Sequence, residues 1–174
     1  SITATGAGPA LTVDETVLAT DDVASFAGAF TGDGGADGEA SRTYALSVDG
    51  GNGTDSGLVD TATGESILLS LNGGVVEGRT SGTDDLVFTL TVDGSGNVEL
   101  DQLRAIVHDP DTGPDQSISL APSLLTLTAT ITDNDGDTDT ATLDIGDNLN
   151  FEDDAPSITA TGAGPALTVD ETVL

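Results

Sequence analysis

The 174 residues include no cysteine, methionine or tryptophan, a single histidine, and only three basic side chains. Without cysteine there is neither a disulfide framework nor a thiolate metal site, so a module working outside the cell needs another source of stiffness. One histidine, His108, gives a zinc site or an imidazole acid–base pair little to draw on, and the pattern reads it as a loop or strand-end residue. No G-x-S-x-G elbow is present to activate a serine. The five aromatics, Phe26, Phe30, Tyr44, Phe88 and Phe151, make a poor sugar-stacking platform and lie partly on alternating runs that read as core. Paired acids alone do not define a glycosidase. The expectation is a chain that is not an enzyme. No apolar run approaches the roughly 18 residues of a membrane span, and no signal-peptide pattern occurs.

Basic charge is scarce while acid is abundant. Arg42, Arg79 and Arg104 face 31 Asp and Glu residues, a formal net charge of −28. Such self-repulsion opposes compaction unless cations screen or bind it, and it excludes nucleic acid and anionic membrane surfaces as partners. Yet 36% of residues are hydrophobic, too many for a disordered polyanion.

The segment SITATGAGPALTVDETVL occurs twice, at Ser1–Leu18 and again from Ser157 to Leu174, an offset of 156 residues. Identity over that length signals a tandem array, and neighbouring repeats of the same chain are the expected partners. The boundaries follow: a repeat unit over 1–150, an acidic linker over 151–156 that ends in a proline, and the first strand of the next repeat over 157–174. One copy is expected to supply the unit's first strand and the other to be ordered by contact, in a second slot or on a neighbouring molecule.

Two-residue alternation dominates the rest. Leu125, Leu127, Ala129 and Ile131 share one face while Thr126, Thr128, Thr130 and Thr132 share the other; Ala141, Leu143 and Ile145 follow across DNDGDTD as the second arm of a hairpin over 124–146. A second hairpin joins DLVFTLTV to NVELDQL across DGSG. RTYALSV, ESILLSL and the duplicated LTV read as further strands. Asp21 to Ala40 reads as a loop, an insertion or a small flap. With no helical stripe, the fold class is all-β: a Greek-key sandwich, immunoglobulin-like or cadherin-like, elaborated or split.

The acids cluster where a hard cation would sit. Asp133, Asp135, Asp137 and Asp139 recur every second residue around Gly136, a spacing that supplies oxygens for Ca2+; flanking strands and the glycine position exclude an EF-hand. A polar turn in an acidic chain is the plainer alternative. Glu152, Asp153 and Asp154 form a second cluster in the linker, within about twenty residues of Asp170 and Glu171 in the next copy; Asp14 and Glu15 offer the same pair to the preceding unit. Together these predict a calcium cage at the joint between repeats. Asp109, Asp111 and Asp115 make a weaker acidic loop, and GGNGTDSGL matches the opening of the nonapeptide calcium repeat in a single copy only.

TDSGLVDTATGESILLSLNGGVVEGRT, DLVFTLTVDGSGNVELDQLRAIVHDPD, LLTLTATITDNDGDTDTATLDI and FEDDAPSI, in that order from about Tyr44 to Ile158, resemble the tandem extender repeats of bacterial repeats-in-toxin (RTX) adhesins. FEDDAP is also similar to the linker between cadherin domains. The resemblance implies an immunoglobulin-like extender of a secreted cell-surface protein, exported by a type I system and rigidified by calcium. It implies ligands at Asp133, Asp135, Asp137, Asp153, Asp154, Asp170 and Glu171, and an adhesion target bound elsewhere in the parent protein. The alternatives are a calcium-dependent glycan- or protein-binding module and an acidic β-domain screened by monovalent salt.

Overall fold

The structure is a computed structural model. It describes residues 1–110, 113, 115–154, 158, 159, 161, 162 and 164. Asp111 and most of the second copy of the duplicated segment, including Asp170 and Glu171, lie outside the described residues.

The strands in chain order are β1 Ile2–Ala4, β2 Leu11–Asp14, β3 Asp22–Ser25, β4 Phe30–Gly32, β5 Glu39–Val48, β6 Thr54–Val59 and β7 Ser66–Asn72. They continue as β8 Val75–Thr80, β9 Leu86–Val92, β10 Asn97–Gln102, β11 Ser117–Ser119, β12 Leu125–Asp133, β13 Thr138–Asp144 and β14 Leu149–Glu152. Among the described residues the helices are single 3-10 turns, and none is long and apolar enough to cross a membrane.

The chain forms the all-β sandwich that its alternation predicts. One sheet has the order β3-β10-β9-β8-β7-β6, and β6 to β10 run through it as an antiparallel meander. The others are β13-β12-β5, β11-β14-β2 and the pair β1-β4. After the meander the chain returns at β12 to pair with β5, a long closure of the Greek-key kind. β5 lies across β7, β8 and β9, and buried side chains from the sheets join in one core. Phe88 and Phe151 meet at its centre, their ring centroids 5.2 Å apart.

Both expected hairpins form. β12 pairs with β13 from Thr126↔Asp144 to Thr132↔Thr138, with Leu125, Leu127, Ala129 and Ile131 buried on one face. β9 pairs with β10 across DGSG, where Gly96 sits at φ +78 under the Tyr44 ring and a side chain would collide with it.

Other elements differ from the expectation. The segment from Asp21 to Ala40 is not simply loop: β3 extends the large sheet beside β10, and β4 pairs with β1. β6 and β8 also escape a reading by alternation. β6 is short and bulged, while β8 buries Gly78 and Thr80 as well as Val76, so its inward face shows no apolar stripe. Phe151, assigned from sequence to the linker, is fully buried in β14. The N-terminal copy of the duplicated segment supplies β1 and β2, and β2 lies parallel to β14 from Leu11↔Leu149 to Asp14↔Glu152.

Candidate functional site

Two clusters of metal-capable side chains occur among the described residues, with no member in common. The first crowns the β12–β13 hairpin. A bulge between Thr132 and Asp133 interrupts the pairing of β12 with β5, and Asp133 Oδ1 accepts the backbone N–H groups of Asp135, Gly136 and Asp137 at 3.3, 3.0 and 2.9 Å. One carboxylate oxygen thus folds the loop back on itself. Asp135 comes within hydrogen-bonding reach of Asp133; that contact and the Asp133 charge raise the Asp135 carboxyl while the Asp133 carboxyl is lowered. The pair favours holding a shared proton or a cation over two bare charges.

Asp37 completes this cluster, its carboxylate within 4.8 Å of those of Asp133 and Asp135. It was not foreseen, because it arrives on the 33–38 flap from a hundred residues away. Asn134 holds the flap in place, donating from Nδ2 to Asp37 O at 2.6 Å and from its backbone to Gly38 O at 3.2 Å. Asp137 and Asp139 fall outside this trio. Both line a cavity of about 240 Å³ with Ser1, Asp33 and Asp133. Asp139 accepts the Ile2 N–H at 2.9 Å, and that bond lowers its carboxyl.

In the second cluster Glu15 and His108 are buried and Asp153 is partly exposed. Asp14 caps a 3-10 turn, accepting the Thr16 N–H at 2.8 Å, and the turn swings the next side chain, Glu15, into the protein. Glu15 Oε1 accepts Gln102 Nε2–H at 3.0 Å and the Ile106 N–H at 2.8 Å. Burial raises its carboxyl, only partly offset by those bonds. Rather than reaching toward a preceding unit, Glu15 meets His108 and Asp153 of its own unit, with one ligand atom from each within 4.8 Å of the others.

His108 is 8% exposed. Its Nε2–H donates to the Phe151 carbonyl at 3.1 Å, and Nδ1 stands 3.6 Å from Asp153 Oδ1. The available sequence signal was the two-residue period: Ile106 and His108 point inward while Val107 is exposed. Asp153 is fixed by its backbone N–H to Gln116 O at 2.9 Å. Asp154 is exposed and borders the same cleft, about 360 Å³, with Glu15, Ile106, His108 and Asp153. Glu152 ends β14 beside Asp14 and Ser117. In the weaker candidates, Asp109 borders a small pocket with His108, and GGNGTDSGL spans the β5–β6 turn and enters β6 at Thr54, with Asn52 Oδ1 accepting the Leu71 N–H of β7.

Fold and clusters together define an acidic all-β sandwich with two groups of side chains that could hold a metal ion. The chain belongs to the family described as a domain of unknown function (DUF5801), which matches residues 10–146. That span holds the hairpin cluster, Glu15 and His108, and stops short of β14 and Asp153. No curated protein and no solved structure matches the chain.

Proposed function

We propose that the chain is a calcium-rigidified extender repeat of a large secreted bacterial surface adhesin of the RTX type, projecting a ligand-binding region away from the cell. The observation that carries this is the company Ser1 keeps. The Asp33 carbonyl accepts from the charged amino group of Ser1 at 2.9 Å, a nitrogen that a preceding residue would turn into a peptide N–H still able to donate, and Ser1 lines the acidic cavity of Asp133, Asp137 and Asp139. Ser157 repeats Ser1, three residues after Asp154. In a tandem array, the acidic linker of one repeat therefore runs straight into the hairpin carboxylates of the next. The joint gathers acids from two units, an arrangement suited to a hard cation that wants many oxygens.

Calcium there cancels charge and removes bending. Extracellular modules bind it with dissociation constants of about 0.1–1 mM, so at about 10 mM free ion each site stabilises by about 1.4–2.7 kcal/mol. Several such sites rival the whole stability of a small domain. At cytosolic calcium levels the sites stay empty, which eases export of the unfolded chain.

The test is thermal unfolding in EGTA against a calcium titration, with magnesium and NaCl as controls, alongside small-angle scattering of a two-repeat chain. A calcium-selective rise in midpoint with a longer, stiffer pair is the expected result. An equal rise in NaCl, or a hinge indifferent to calcium, refutes it.

A further inference from the structure

The trio of buried Glu15 and His108 with the partly exposed Asp153 differs in chemistry from the acidic hairpin loop, and it lies within one repeat. Three observations bear on it. His108 Nδ1 is buried, points into the trio, and has no hydrogen-bond partner among the described residues; its nearest neighbour there, Asp153 Oδ1, is at 3.6 Å. The other ring nitrogen is committed as a donor to a backbone carbonyl, the Phe151 oxygen at 3.1 Å. In the neutral ring that bond places the proton on Nε2 and the lone pair on Nδ1, the arrangement found in metal-ligating histidines. Glu15 is anchored in the same way: Oε1 takes both of its hydrogen bonds, from Gln102 and Ile106, which leaves Oε2 for another partner.

We infer that Glu15, His108 and Asp153 form a binding site for Zn2+ or a similar imidazole-accepting divalent cation, one site in each repeat. Ligands held about 2.0–2.2 Å from a tetrahedral zinc stand about 3.3–3.6 Å apart, and the His108–Asp153 separation of 3.6 Å matches that edge. Calcium fits poorly, since it takes about six to eight oxygens at longer range and no imidazole. The adjoining cleft leaves room for a fourth ligand, water or Asp154.

The ion would tie the chain where it leaves β14 to the 103–108 segment and to the turn after β2, a cross-link in a protein without cysteine. Glu171 repeats Glu15 at the 156-residue offset, so the next copy carries its own first ligand. Asp153 also belongs to the acidic linker, but the imidazole belongs to this site alone and the hairpin carboxylates to the calcium joint alone, so the Zn2+ response of His108 and the calcium response of the joint can fail separately.

Because His108 is the only histidine, its imidazole resonances report this site in the intact chain. The experiment adds Zn2+ to protein already in excess calcium and follows those resonances, with calorimetry for stoichiometry and Co2+ for a visible spectrum. The expected result is one Zn2+ per chain, shifted imidazole signals, a tetrahedral Co2+ spectrum, and affinity at least about tenfold weaker in His108→Gln. Asp153→Asn, altering a side chain that is 25% exposed, gives the same reading if His108→Gln does not fold. Imidazole signals untouched by Zn2+, signals moved equally by Ca2+, or unchanged affinity in the variant that folds would each overturn the site.

Discussion

Replacing Asp60 with asparagine tests the electrostatics beneath the Glu15, His108 and Asp153 cluster. Asp60 is fully buried and receives Arg104 Nε–H on Oδ1 at 2.8 Å and Nη2–H on Oδ2 at 3.0 Å. Thr63 adds its backbone N–H at 2.8 Å and its hydroxyl at 2.7 Å. Around this clamp, Thr61 N–H bonds Ala105 O and Val107 N–H bonds Val59 O, so the segment presenting Ile106 and His108 is strung along residues 59–61. The Arg104 bonds, helped by Thr63 and opposed by burial, bring the Asp60 carboxyl from 3.8 down to about 2. At about 1.36 kcal/mol per pH unit, that depression is worth about 2 kcal/mol. Breaking a wholly buried pair costs about 3–5 kcal/mol, but Arg104 keeps 29% exposure and has Asp85 at 3.6 Å, so the loss stays near the lower figure. Asp60→Asn is therefore expected to cost about 2 kcal/mol at pH 7, or about 4–8 °C in midpoint. A depressed carboxyl stabilises fully above its unfolded value and loses that contribution as pH falls through its folded one. The difference between wild type and Asp60→Asn should hold above about pH 4 and shrink to about 1 kcal/mol by pH 2.5. Urea unfolding of both proteins across that range measures it. A difference under about 0.5 kcal/mol at pH 7, or one that does not change with pH, would refute the reasoning.

Three further outcomes are expected. Gly78→Ala drives a methyl group into the buried Phe88 ring and should cost about 1–3 kcal/mol by denaturant titration, with Gly82→Ala, whose nearest contact is the Glu65 carboxylate on an exposed turn, as the milder control. Asp135→Asn removes one of two crowded carboxylates; its midpoint should match or exceed wild type in EGTA and fall below it in calcium, a change of sign read by scanning calorimetry. Glu15→Gln keeps an oxygen for Gln102 and Ile106 while dropping a charge that burial disfavours, so at pH 7 it should raise the midpoint of metal-free protein and lose the Zn2+ response.

What the sequence reveals here is what repeats every two residues over a sustained run. β12 is legible because four successive inward positions are aliphatic, and β9 because Leu86, Phe88, Leu90 and Val92 alternate up to an obvious turn. β8 is hidden because its partner fills the space: the Phe88 ring occupies the place of a side chain at Gly78, so the inward residue is a glycine. β14 is too short to show a period, and acids that belong to the linker follow it at once. The candidate sites divide in the same way. Asp133 and Asp135 are contiguous and readable, whereas Asp37 joins them only through the fold. Glu15, His108 and Asp153 come from three distant segments, and no local spacing could unite them. Glu15 itself was noticed as an acid but not as an inward one, since its direction is set by the 3-10 turn that Asp14 caps.

The parallel pairing of β2 with β14 has a mechanical consequence. These strands lie close to the points where the chain enters and leaves the unit, and they run side by side in the same direction from Leu11↔Leu149 to Asp14↔Glu152. A pull on the two ends drags β2 toward its start and β14 toward its finish, opposite ways along one axis. The rungs between them then share the load in shear and must give way together, whereas an antiparallel hairpin pulled from its open end yields one rung at a time. Among the described residues β1, paired with β4 ahead of them, can peel first, lengthening the unit slightly before the main body resists.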